Sequence, residues 1–353
     1  MEKAYAKFGD QFEAIAIADI VSDSFSAAFK DVDAVIHTAS PIPHRAPAED
    51  ILKVKELSHP VQLKIAHPEI QGAEEGTINV IRQAQEAGIK KFVVTSSMAT
   101  VAHPKSSFTD KGWPSDLILT SIQTNVVDWN PVTREDALKG DGLHTYQAAK
   151  TLAELALWEF ADQHREIDIT TCKLSTQTPT AKTNRSHLVN PTFLYGPLAS
   201  GFSLPEPNYA ALSSDFLIYH LITPGGSYPP SATYLDVRDA ARAHINALTS
   251  PPEASVGRKR IVMASPFENK FERILELIAR KRPELASRLT TTAVPSYPVY
   301  KAPIDLQRVQ DVVGIKIDSY KSWEDTFLDT IDSLVELEKQ WKAAGHIVNV
   351  PKA

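Results

Sequence analysis

An α/β fold built on a doubly wound parallel sheet is the class this sequence predicts. Three short segments, FEAIAIADI (12–20), DAVIHTA (33–39) and KFVVTSS (91–97), are apolar along their length rather than alternating. Parallel strands covered by helices on both faces read that way. Helical stretches separate them, and strand–helix–strand alternation marks βαβ units.

Each element has its own justification. In GTINVIRQAQEAGIKK (76–91), Ile78, Val80, Ile81 and Ala84 fall on one helical face, and Gly88 fits a helix stop. TYQAAKTLAELALWEF (145–160) holds strong helix formers without glycine or proline. Ala149, Leu152 and Leu155 or Ala156 are placed to pack inward. EIDITT (166–171) reads as a fourth strand. Beyond about residue 195, proline and glycine cluster in LYGPLASGFSLPEPN and TPGGSYPPSATY, and helices are predicted over 236–249 and 268–280. A last helix over 322–344 spaces Phe327, Ile331, Leu334, Leu337 and Trp341 along one stripe. The C-terminal part reads as a smaller lobe over the carboxyl edge of the sheet, where open α/β sheets bind ligands.

Bulk properties narrow the function. The chain has 353 residues, 43% hydrophobic and 23% charged, enough for a sizeable core and ordinary for a globular protein. Net charge is −6 with no basic run, which argues against nucleic acid as a partner. No apolar stretch reaches the ~18 residues of a membrane span, and MEKAYAKFGD has no secretory core. A single cysteine, Cys172, excludes an internal disulfide and a thiolate cluster. The expected compartment is the cytoplasm; oligomeric state is not legible.

The chemistry centres on TYQAAK (145–150). On a helix, Tyr146 and Lys150 project one turn apart on the same face. A free phenol, pKa ~10, is a sluggish acid–base group at neutral pH; a nearby ammonium draws it toward the working range. Lysine also has donors to spare for a ribose hydroxyl. The same pattern recurs at Tyr297–Lys301, where Pro298 breaks any helix. Strand 91–97 ends in Thr95-Ser96-Ser97, and Ser97 is placed to donate to a substrate oxygen beside Tyr146.

Five stretches, HTASP (37–41), GTINVIRQAQEAGIKKFVVTSSMATV (76–101), TYQAAKTLAELALWEFADQH (145–164), NPTFLYGP (190–197) and YLDVRDAARAHINAL (234–248), together resemble the extended short-chain dehydrogenases/reductases. The branch is that of the dihydroflavonol and cinnamoyl-CoA reductases and the fungal methylglyoxal/isovaleraldehyde reductases. The resemblance implies a Rossmann-like sheet, a Ser–Tyr–Lys triad on Ser97, Tyr146 and Lys150, NADP(H) as hydride source with NAD(H) as the alternative, and a small aldehyde or ketone as substrate. It further implies that Asp19 and Ile20 touch the adenine, that Ala39 passes the phosphate–ribose region, and that the Leu194 backbone meets the nicotinamide amide. His37 is expected to be a buried, hydrogen-bonded side chain, and Asp236, Arg238 and Asp239 to be helix-start and inter-lobe residues.

Two departures from the pattern stand out. Before Gly72 the chain has one glycine, Gly9, and nowhere a G-x-x-G-x-x-G turn to hold a diphosphate. The strand at 12–20 matches the family's third, so the first βαβ unit, ~30 or more residues, is expected to be missing and dinucleotide binding to be poor. The second departure is CKLSTQTPTAKTNRSHLV (172–189), which interrupts what should be one central strand; VKELSHPVQLKI (54–65) is a weaker case. The 172–189 segment reads as a translated intron, since its Cys-Lys and Thr-Asn are encodable by donor-like and branch-point-like sequences, with 54–65 as a second, weaker candidate. The expected division is residues 1–195, with 236–265 returning to it, as an incomplete dinucleotide-binding domain, and 196–353 as mainly the substrate lobe. Alternatives are a cofactor-free binding protein on the same scaffold and a nucleotide-sugar epimerase or dehydratase.

Overall fold

The computed structural model describes residues 2–39, 68–100, 129–135, 142–173, 193–229, 232–267, 269–295 and 304–351. Its main sheet contains β1 (Ala34–His37), β2 (Lys91–Ser96), β3 (Asp168–Lys173) and β6 (Lys259–Val262), in that order and all parallel. Val35 pairs with Phe92, Phe92 with Ile169, and Cys172 with Ile261. The helix α1 (Pro68–Glu86) crosses from β1 to β2, and α2 (Gly142–Gln163) precedes β3.

Side chains of β2 show why these strands are apolar throughout. Phe92 and Val94 enter a core with Val80, Ile81 and Ala84 of α1 and Leu157 and Trp158 of α2. Val93 enters a different core, with Ala240, Ala243 and Ala247 of α4 (Val237–Ala247) and Val309 and Val312 of α6 (Leu306–Val313). Alternate residues face opposite sides of a strand, so helices on both faces require an unbroken apolar run. The doubly wound parallel sheet is therefore as predicted.

A second, two-stranded parallel sheet joins β4 (Phe193–Tyr195) to β5 (Tyr234–Asp236). It belongs to a third core with Tyr219 of α3 (Asp215–Tyr219), Phe271 of α5 (Phe271–Lys281), and Phe327, Ile331 and Trp341 of α7 (Trp323–Ala343). All five residues of the predicted last-helix stripe are buried.

One predicted strand is not formed. Residues 12–17 run without a ladder into a turn, and Ile15 is 44% exposed. A strand exists only by pairing, and among the described residues none lies alongside this segment. Helix boundaries also move: α1 begins at Pro68 rather than 76, and α2 at Gly142 rather than 145. Gly88 does end α1, at φ +90°, with Ile89 N–H donating to the Ala84 carbonyl. Cys172 and Lys173, the first residues of the interrupting segment, complete the β3 ladder against Ile261 and Val262. Residues 174–189, 54–65, Tyr297 and Lys301 lie outside the described residues.

Candidate active site

The carboxyl end of β2 is held by three consecutive hydroxyls, the first tied to α4 and the next two to α2. Thr95 Oγ1 lies 2.8 Å from His244 Nε2 of α4, whose Nδ1 is 2.7 Å from the Ala240 carbonyl. That carbonyl can only accept, so Nδ1 carries the proton and Nε2 accepts from Thr95. Burial lowers the His244 pKa and keeps the ring neutral. Ser96 Oγ donates to Glu154 of α2 at 2.5 Å. Ser97 Oγ, fully buried, accepts from Tyr146 Oη at 3.3 Å and from the Ala99 N–H at 3.1 Å. Both contacts use it as acceptor, so its own O–H points elsewhere to donate.

Tyr146 reaches Ser97 because α2 lays an alanine-rich face on the sheet. Ala148 and Ala149 are buried, and so are Ala153 and Leu157. Leu155, a candidate for that face, is instead 39% exposed, while the charged Glu154 is buried. Lys150 stands one turn after Tyr146 and lines a small cavity, roughly 20 Å³, with His37, Ala39, Thr95, Ser96 and Glu154. Burial pulls the Lys150 ammonium down to about 8, and Glu154 pushes it back up. Ser97, Tyr146 and Lys150 are thus gathered at one end of the sheet.

The other expected site residues are dispersed. Ala39 is exposed just past β1 at the cavity mouth. Asp19 spends its carboxylate on a turn, accepting from the Val21 N–H at 2.9 Å and from Ser22 Oγ at 2.5 Å. Ile20 backs onto α1: its side chain packs on Gly76 and its carbonyl accepts from Asn79 Nδ2 at 3.1 Å. Leu194 lies in the second sheet, its carbonyl accepting from Ser214 Oγ at 2.5 Å. His37 is buried against Thr77 Oγ1 at 3.3 Å, as expected. Asp236 caps α4 and accepts from Thr326 of α7, Arg238 reaches Asp329, and Asp239 accepts from the Lys321 N–H, so these three are helix-start residues that tie α4 to α7 and the segment before it.

No family model matches the chain. It is 25% identical over 326 residues to the NADPH-dependent methylglyoxal reductase of Saccharomyces cerevisiae, covering 90% of this chain and 81% of that protein. It is 29% identical over 332 residues to tetraketide alpha-pyrone reductase 1 of Arabidopsis thaliana, covering 90% and 78%. Its fold matches yeast methylglyoxal/isovaleraldehyde reductase complexed with NADPH at a TM-score of 0.65, 20% identity, and coverage of 96% and 88%. In sequence and in fold the chain is thus similar to known oxidoreductases, among them these two reductases. Sequence reasoning missed two buried residues beside this site: Glu154, and Arg260, whose Nε donates to it at 2.9 Å. Glu154 was signalled by its place four residues after Lys150 on an otherwise apolar row; Arg260 had no local signal, since its partner lies far away in sequence.

Proposed function

We propose that this chain is an NADP(H)-dependent reductase of aldehydes or ketones, with Ser97, Tyr146 and Lys150 as its catalytic residues. The observation that carries the reading is the 3.3 Å contact between Tyr146 Oη and Ser97 Oγ across the α2–β2 gap, with Lys150 one turn further along α2. A merely structural tyrosine has no need of a half-buried lysine on the same row.

The residues present fit the ribose–nicotinamide end of the cofactor. The donors of Lys150 suit a ribose hydroxyl, and Ala39 leaves the mouth of the cavity uncrowded. Asp19 and Ile20 are assigned to the adenine, and the Leu194 backbone to the nicotinamide amide. Toward the diphosphate, the described residues offer no glycine turn between a strand and a helix, and Gly76 is packed against Ile20. Bound NADPH supplies the hydride. Ser97 Oγ donates to the carbonyl oxygen and fixes its direction; Tyr146 Oη gives that oxygen a proton; the Lys150 ammonium eases the loss of the phenol proton. Burial of Ser97 and Tyr146 keeps water from competing for the oxygen and strengthens their interactions with it.

Residues 1–195 with 236–265 form the cofactor side in this reading and 196–353 mainly the substrate lobe; the aromatic core around Phe327 and Trp341 comes mostly from the latter, with Phe193 and Tyr195 joining it. The partner is a small carbonyl compound in the cytosol. Neither nucleic acid nor membrane has a role, and no helix among the described residues is long and apolar enough to cross a bilayer. The test is stoichiometry: NADPH consumed must equal alcohol formed when the chain is given a short aldehyde. A cofactor-free scaffold protein is the second reading, favoured by the lack of a glycine turn among the described residues. Folded protein that neither consumes NADPH nor is stabilised by it supports that second reading and defeats the first.

A further inference from the structure

Glu154 is a buried charge that the reaction scheme leaves without a task. Its side chain is 2% exposed. Its oxygens accept from Ser96 Oγ of β2, Thr171 Oγ1 of β3 at 3.1 Å, Trp158 Nε1 at 3.3 Å and Arg260 Nε of β6 at 2.9 Å. Lys173 Nζ stands 3.9 Å away. Arg260 is itself held, 3.8 Å above the Trp129 ring.

The charges facing this point can be counted. Lys150 comes from α2, Lys173 from β3 and Arg260 from β6. His37 of β1 is neutral at neutral pH, because burial and Lys150 lower it to about 4. Tyr146 is the other titratable group on the same i, i+4 row of α2. Glu154 is therefore the anion among three cations. Burial pushes its carboxyl up, yet Lys173, Arg260 and its hydrogen bonds outweigh that and hold it at about 2. On the other side it lines the same cavity as Lys150, one helical turn away.

We propose that Glu154 is a positioning residue that keeps the Lys150 ammonium charged, while Arg260 competes for its carboxylate and limits how much of that charge Lys150 feels. The proposal deepens the reading of Tyr146 and Lys150 given above and rests on it for its consequence in catalysis. An opposite charge one helical turn away and lining the same cavity favours the charged form of the half-buried ammonium. Removing Glu154 leaves Lys150 among like charges and releases its proton at lower pH. Removing Arg260 does the reverse.

The test is a pH titration of Lys150 in the full chain carrying ¹³C at lysine Cε, its resonance identified by its loss in Lys150→Arg. In Glu154→Gln the Lys150 midpoint is expected to fall by about one unit or more, and in Arg260→Leu it is expected to rise. The alkaline limb of aldehyde reduction should move in the same two directions, which a residue that only supports packing would not produce. Unchanged midpoints, or shifts of the same sign in both variants, overturn the proposal. If Glu154→Gln fails to fold, Arg260→Leu decides alone: a rise supports the proposal, and no change or a fall refutes it. Should Tyr146→Phe keep full activity while the midpoints move as expected, the catalytic reading fails and the electrostatic coupling stands.

Discussion

His37 at the end of β1 couples the site to acid stability. It is 6% exposed, bonded to Thr77, and held at about 4 by burial first and by Lys150 second. Unfolded, the imidazole titrates near its ordinary value of about 6.5. A depressed folded pKa means that the unfolded chain binds the extra proton, so this contribution is whole above pH 6.5 and is lost as pH falls toward 4. The loss amounts to about 3 kcal/mol. Denaturant midpoints measured from pH 7 to 4 should fall in the parent and fall less in His37→Gln; equal slopes would contradict this. At this scale much of the site was legible in sequence. Tyr146 and Lys150 were readable because helical spacing alone puts them on one face, and Ser97 because it ends an apolar strand. The Arg260–Glu154 pair was not, since it depends on β6 lying beside β3. Asp19 carries two signals at once: the resemblance points to the adenine, and locally its carboxylate closes a turn.

Among elements, α7 shows how a periodic stripe becomes a core. Phe327, Ile331, Leu334, Leu337 and Trp341 recur at helical intervals and all are buried. Ser322 caps the helix, accepting from the Asp325 N–H, and Glu324 and Asp325 favour its positive end. Ile331, fully buried, has no room to relax, so Ile331→Ala should cost about 2–5 kcal/mol, read as a lower urea midpoint with unchanged slope. A cost under about 1 kcal/mol would mean that the helix is not seated as described. Elements with this internal signal were predictable: α4, α5 and α7 all fall close to their expected ranges. The segment 12–20 failed because its apolar pattern states only a capacity to pair, and pairing needs a neighbour that sequence pattern cannot supply. Its exposed Ile15 is the result.

For the whole molecule, topology brings the chemistry together. The order β1-β2-β3-β6 places the ends of β1 and β2 side by side, and α2 lies across them with Tyr146 over Ser97 and Lys150 over the end of β1. The parallel class was readable from unbroken apolar strands. The separate β4–β5 sheet was not, because strands of three residues are too short to carry a periodic signal. All proposed chemistry meets at the Tyr146 hydroxyl, so the most direct measurement is the rate of NADPH-dependent aldehyde reduction by Tyr146→Phe beside the parent at pH 7. Removal of a positioned general acid should lower kcat by at least about 10²-fold, with the thermal midpoint unchanged. A variant that reduces aldehydes as fast as the parent would contradict the account.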